Sequence, residues 1–216
     1  MTIKDILCLD IPANFGTNEF SEITYEMSYV MDQLDNTIET KWGISQFVII
    51  NNEWDNVIKI PFIGGYYEPD DEDSENIFEE WSRDYCQYSI DIYNSALKEG
   101  VVDIFAKTEV LGETINGSKI YTQEKIDIDC ANNISKIEYS NNSFNKVKNN
   151  QNDGKAGWRK FRASWLAAAI DCYGEKFVNN FIEFCIKNNI NDTHDHNYGY
   201  RSDGSPVIFD YASFDY

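Results

Sequence analysis

Both histidines of the chain, His194 and His196, stand one residue apart in the stretch NINDTHDHNYGYRSDGSPVIFDYASF (189–214), among Asp192, Asp195, Asp203 and Asp210. These types can do chemistry. Two imidazoles on one face of a strand can share a metal, and a neighbouring carboxylate can add an oxygen ligand. His-x-His alone specifies little in so acidic a chain, and Asp and Asn also cap turns. The spacing supports a second chemistry. Asn197 follows Asp192 by five positions, and Asp210 follows Val207-Ile208-Phe209. A carboxylate that takes a hydroxyl proton, together with hard oxygen ligands for magnesium, is what phosphoryl transfer asks of a protein.

Such residues need elements to position them. Residues 202–204 (Ser-Asp-Gly) predict the turn of a hairpin, with Pro206 opening the returning strand. Upstream, TIETKWG, SQFVIINN and NVIKIPF within 38–63 read as short strands separated by turn residues, and NNEWDN has hairpin chemistry. EPDDEDSE (68–75) reads as a solvated acidic loop before a helix over about 75–98, where Phe78, Trp81, Tyr85, Tyr88, Ile92 and Leu97 recur at helical spacing. Gly100 would end it. Two strands follow, starting at 101, with Asn116-Gly117 as their hairpin turn. Residues 131–155, rich in Asn, Ser and Lys, read as a surface connection. From 156 two apolar helices are expected, broken near Gly174; at the other end a helix is expected over 20–34.

The order of these features resembles the protein kinase-like superfamily over residues 38–216. DTHDHN…VIFDY looks like its D-x-x-x-x-N…D-F-G pair, and Val57-Ile58-Lys59 like its V-A-I-K strand. The resemblance implies an α+β, two-lobed fold: an antiparallel β-sheet N-lobe over 1–130 and a much reduced helical C-lobe over 131–216. It implies ATP and Mg2+. Asp192 would be the catalytic carboxylate, His194 would stand near the transferred phosphate, and Asn197 and Asp210 would bind the metal. Lys59 would hold phosphate oxygens under a degenerate phosphate-covering loop bearing Gly43 and Ser45. Asp91, with Gln87 as the alternative one turn earlier, would hold Lys59. The backbone of Gln123, Glu124 and Lys125 would face the adenine.

The pattern departs from the family in three places. Ile190-Asn191 stands where His-Arg precedes the catalytic Asp, Tyr211-Ala212 stands where Phe-Gly follows the metal-binding one, and the sequence runs only six residues beyond Asp210. Control by a phosphorylated activation loop and docking of a peptide in the manner of eukaryotic kinases are therefore not expected. The compact form resembles small kinase-like proteins of bacteria and their phages.

Composition bounds the partners. A formal charge of -19 argues against direct nucleic-acid binding, which needs a basic footprint, and suits a basic protein partner. The stretch from Lys146 to Arg162 is the basic exception and reads as solvated surface. Five scattered cysteines without a CxxC predict neither a disulfide framework nor a zinc ribbon. No apolar run approaches the ~20 residues of a membrane span, and a cytoplasmic protein of a bacterium or of a phage-infected host is expected. Two functions follow as expectations. One is an ATP- and magnesium-dependent phosphotransferase acting on a protein or small molecule. The other is an inactive kinase-like protein, a pseudokinase whose acidic surface binds or inhibits a basic partner, as in phage counter-defence.

Overall fold

A computed structural model describes residues 1–17, 22–43, 45–62, 84–127, 138–191, 193 and 196–211. The fold is α+β, with a five-stranded antiparallel sheet and six helices among these residues. The chain divides into two compact units. The first comprises Met1–Tyr88 and Thr108–Glu124, the second Ser89–Lys107 and Lys125–Tyr216. Sequence had drawn one boundary at 130/131; the chain leaves the first unit at 124/125, and 89–107 also belongs to the second.

In the first unit, β1 (Glu39–Trp42), β2 (Gln46–Ile50), β3 (Asn56–Pro61), β4 (Thr108–Glu113) and β5 (Lys119–Glu124) form a sheet in the order β1-β2-β3-β5-β4. The two-residue period of a strand sorts its side chains by face. Phe47 pairs with Ile60 and Ile49 with Ile58, and these four are fully buried together with Ile120. Their face is covered by Ile6, Leu9, Ile11, Phe15, Met27 and Val30 from the first 35 residues. Phe15 sets its edge against Phe47 and Phe62, each at 5.5 Å between ring centres. Burying side chains of this size contributes about 1.5–3 kcal/mol apiece, so the apolar opening of the chain is part of the sheet's core. It carries helices α1 (Ile3–Ile6) and α2 (Tyr25–Met31), the latter shorter than the helix expected over 20–34. The Asn116-Gly117 hairpin is present, with Gly117 at φ +85°.

Helix α3 (Tyr85–Glu99) begins at a cap: Asp84 accepts from the Gln87 amide at 2.9 Å. The acidic loop expected at 68–75 and the first part of the helix expected over 75–98, with Phe78 and Trp81, lie outside the described residues; Tyr85, Tyr88, Ile92 and Leu97 lie on the helix as expected. Gly100 follows the last turn with φ +72°, as expected. The strand expected from 101 is instead a 3-10 turn, Val102–Ile104, and β4 starts only at Thr108. The Arg201 guanidinium holds this turn by donating to the carbonyls of Asp103 (2.7 Å) and Phe105 (3.1 Å).

The second unit is built on α4 (Asn141–Asn152), α5 (Ala163–Tyr173) and α6 (Glu175–Lys187). Helices α5 and α6 break at Gly174, φ +89°, as their sequence predicts. Nearly every side of α5 is buried, and α6 buries Val178, Phe181, Ile182, Phe184 and Cys185 at helical spacing. Helix α4 corrects the reading of 131–155 as a connection. Its Asn- and Lys-rich composition has weak intrinsic helix preference, and local caps and packing override that. The Ser140 hydroxyl accepts from the Ser143 amide at 3.2 Å, Asp171 of α5 accepts from both serine hydroxyls, and Val147 is fully buried.

Candidate functional site

The hairpin expected near the end of the chain is present as β6 (Tyr198–Tyr200) and β7 (Pro206–Ile208). Its turn is held by Asp203, whose carboxylate accepts from the amide and hydroxyl of Ser205 at 2.9 and 2.7 Å, with Gly204 at φ +84°. The hydroxyl and amide of Ser205 hold the Asp203 carboxyl below the usual carboxylate value. The hairpin is braced along both strands. Asp127 and Tyr200 exchange backbone hydrogen bonds at 2.9 and 3.2 Å, and the Ala106 amide donates to Ile208 at 2.8 Å. Gly199 is required by close approach, since a Cβ there would come within 2.6 Å of the Asp127 carbonyl oxygen.

This bracing fixes the open end of the hairpin, where two of the expected metal ligands stand. The Asn197 carbonyl accepts from the amides of Phe209 (2.9 Å) and Asp210 (3.3 Å). Residues thirteen apart in sequence are thereby neighbours, with Asn197 only 4% exposed and Asp210 half-buried. Both offer oxygen donors, which suits magnesium rather than a soft metal. Asp192 and His194 lie outside the described residues; the residues that flank Asp192 do not. The Thr193 hydroxyl donates to the Lys160 carbonyl at 2.8 Å, and the Lys160 ammonium donates to the Asn191 side chain. Lys160 closes the 3-10 turn Trp158–Lys160, a pairing that sequence spacing alone does not reveal because the partners are 31 residues apart. His196 is exposed, and the described residues gather no group of three or more His, Cys, Asp or Glu.

In the first unit, Lys59 occupies the third strand of the sheet, opposite Val48 and Tyr121. It belongs to the face away from the apolar core. That face is polar and largely buried: Gln46, Lys59, Thr108 and Gln123 are 9%, 5%, 2% and 1% exposed. The Gln123 amide donates to the Thr108 hydroxyl at 2.8 Å, the Cys86 thiol to Gln46 at 3.5 Å, and the Tyr121 hydroxyl to Asp84. Among the described residues no hydrogen bond or ion pair to the Lys59 ammonium is found. Sequence reasoning missed Tyr121 and Asp84. The available signals were Asp84-x-x-Gln87, a helix-capping spacing, and the register of the strand KIYTQEK against NVIKIPF.

The remaining expected residues are placed less tellingly. Gly43 and Ser45 flank the tight β1–β2 turn, closed by the Gly43 amide on the Gln46 carbonyl at 3.1 Å. Gly43 is exposed, and a Cβ there would meet nothing within 4 Å, so the backbone gives no local reason for glycine. Asp91 is exposed on α3 and belongs to the second unit, whereas Lys59 belongs to the first. Gln87 caps through its backbone amide. Gln123 and Glu124 end β5, and Lys125 opens the next unit. An open cavity of about 470 Å3 on the first unit is walled by Ile11, Pro61, Phe62, Asp84, Asn116 and Lys119 among others; none of the expected residues lines it. No described helix is long and apolar enough to cross a membrane.

No protein-family model matches the sequence, and comparisons with curated proteins and with solved structures return no match.

Proposed function

We propose that the chain is a kinase-type phosphotransferase that uses magnesium and ATP. The observation that carries this reading is the pairing of Asn197 with Asp210 through the backbone at the open end of the braced hairpin. Two hard oxygen donors so placed suit a cation that keeps waters and phosphate oxygens as its other ligands. When bound, magnesium would neutralise charge on the phosphates. Lys59, on the third strand of its sheet, supports the reading from the first unit: an ammonium on a buried face, with no hydrogen bond or ion pair to the described residues, suits phosphate oxygens. Asp192 would take the proton of the incoming hydroxyl, and His194 would stand beside the transferred group. The acceptor is a protein or small molecule bearing that hydroxyl.

Thermal unfolding with ATP, with and without Mg2+, on wild type and Asp210→Ala tests this. A ligand at 100 times its dissociation constant stabilises by about 2.7 kcal/mol. The expected result is a magnesium-dependent rise in melting temperature that Asp210→Ala abolishes, with turnover lost in Asp192→Ala. Equal behaviour of all three proteins would sink the reading.

The charge of -19 favours a second reading, an inactive kinase-like module that engages a basic partner. It predicts a complex that weakens with salt and survives both substitutions; binding indifferent to salt would count against it.

A further inference from the structure

We infer that Tyr121 and Asp84 are the positioning pair for Lys59, in place of an acid farther along α3. The inference rests on Lys59 being the phosphate-holding lysine of the proposed function, and it is built wholly within the first unit.

Lys59 and Tyr121 are directly opposed in the β3–β5 ladder. Opposed antiparallel residues share a face, with Cβ atoms about 4.5–5.5 Å apart. The two side chains are of similar length, so an extended Lys59 can carry its ammonium to the height of the phenol hydroxyl. Tyr121 is fully buried, and its hydroxyl donates to one oxygen of Asp84. The other oxygen of Asp84 accepts from the Gln87 amide at 2.9 Å. The carboxylate is thereby tied at both oxygens, one to the strand beside Lys59 and one to the first turn of α3. Cys86, the second residue of that helix, touches Gln46 on the same sheet face.

Lys59 is 5% exposed and makes no hydrogen bond or ion pair with the described residues. A charge taken from water demands compensation. Among the described residues, Asp84 is the carboxylate that hydrogen bonding brings to this face, through Tyr121. It makes no direct ion pair with Lys59, so it acts as a fixed negative charge that orients the ammonium. With no direct ion pair, all three N–H groups of the ammonium remain available to phosphate oxygens.

The test uses variants that keep the local structure. Asp84→Asn retains a good helix cap, and Tyr121→Phe keeps the ring while removing the hydroxyl. The first readout needs no nucleotide: the rate at which a small acylating reagent modifies Lys59 in the intact chain, followed by mass spectrometry, with the exposed Lys4 and Lys41 as controls. An ammonium held by a nearby carboxylate is protected from acylation. Both variants are expected to raise the Lys59 rate, Asp84→Asn more than Tyr121→Phe, and to leave the controls unchanged. Rates at Lys59 equal to wild type in both variants overturn the pairing.

The second readout is Mg-ATP affinity in a double-mutant cycle with Lys59→Met. If the pair acts through Lys59, Asp84→Asn weakens binding in the wild-type background and has no further effect in the Lys59→Met background. Equal losses in both backgrounds show a merely structural role and overturn the proposal. Failure of the wild type to bind Mg-ATP would remove the proposed function alone, and the acylation rates would still decide the pair.

Discussion

Each unit holds a cation, and the two are treated differently. In the second unit the Arg201 guanidinium donates to the carbonyls of Asp103 and Phe105 and to the Tyr173 hydroxyl, which itself donates to Pro206 at 2.8 Å. These contacts tie the hairpin to the 3-10 turn before β4 and to α5. In the first unit Lys59 is more deeply buried, yet no described side chain or carbonyl receives its protons. A buried polar group that is satisfied contributes to the fold, and one that is not costs stability. Arg201 thus reads as structural and Lys59 as a group kept for something other than stability.

Substitutions can break or sharpen that contrast, and the largest effect belongs to the braced hairpin. Gly199→Ala drives a methyl group toward the Asp127 carbonyl at 2.6 Å and the Ile126 side chain at 2.7 Å. Neither the backbone nor its paired strand can yield without breaking the Asp127–Tyr200 bridge, so a loss of about 3 kcal/mol is expected in denaturant unfolding. A loss within error of zero would show that the hairpin end is loose, and would undercut the placement of Asn197 beside Asp210.

Arg201→Met comes next. It leaves two carbonyls and the Tyr173 hydroxyl short of a charged donor, and about 2 kcal/mol should be lost, moderated because the side chain is partly solvated. Lys59→Met should behave oppositely. Replacing an ammonium that makes no direct hydrogen bond or ion pair with an apolar side chain of similar length is expected to leave stability unchanged or raise it by about 1 kcal/mol, while abolishing any thermal shift with Mg-ATP. A Lys59→Met protein destabilised as much as Arg201→Met would erase the contrast, and Lys59 would have to be counted as structural.

How much of this was legible depended on the reach of the signal. Local chemistry was readable: Gly174 between two apolar helices, Asn116-Gly117 between two strands, and Asp203-Gly204 in the last hairpin all formed as their residues dictate. The neighbouring placement of Asn197 and Asp210 followed from that hairpin. What failed was set by distant partners. Helix α4 looks like a loop because its stabilising acid, Asp171, lies about thirty residues away and its apolar contribution reduces to Phe144 and Val147. The segment after Gly100 alternates like a strand but is curled into a 3-10 turn by Arg201, almost a hundred residues downstream. The Lys59 face was half legible. The lysine could be found from its strand, but the Tyr121–Asp84 link needs the register of β3 against β5 and the start of α3 together.

The smallest expected effect concerns Asp171, the acid that makes α4 possible. Partial burial pushes its carboxyl up, but the Ser143 hydroxyl, the amide and hydroxyl of Ser140 and nearby Lys146 more than offset this, so it lies below the ordinary value of 3.8. A carboxyl depressed by folding contributes stability that is fully present above the unfolded value and is lost as pH falls through the folded one. Wild type should therefore exceed Asp171→Asn in stability at neutral pH, and the gap should begin to shrink as pH falls through about 4, the ordinary carboxylate value, and go on shrinking toward the lower folded one. The side chain is exposed, so solvent screening should keep the charge-dependent part under about 1 kcal/mol. Melting temperatures of both proteins from pH 7 to pH 3 provide the check. A constant gap across that range would mean that the serines recognise the shape of the side chain and not its charge, and that α4 is held mainly by Val147 and Phe144, as apolar packing holds the rest of its unit.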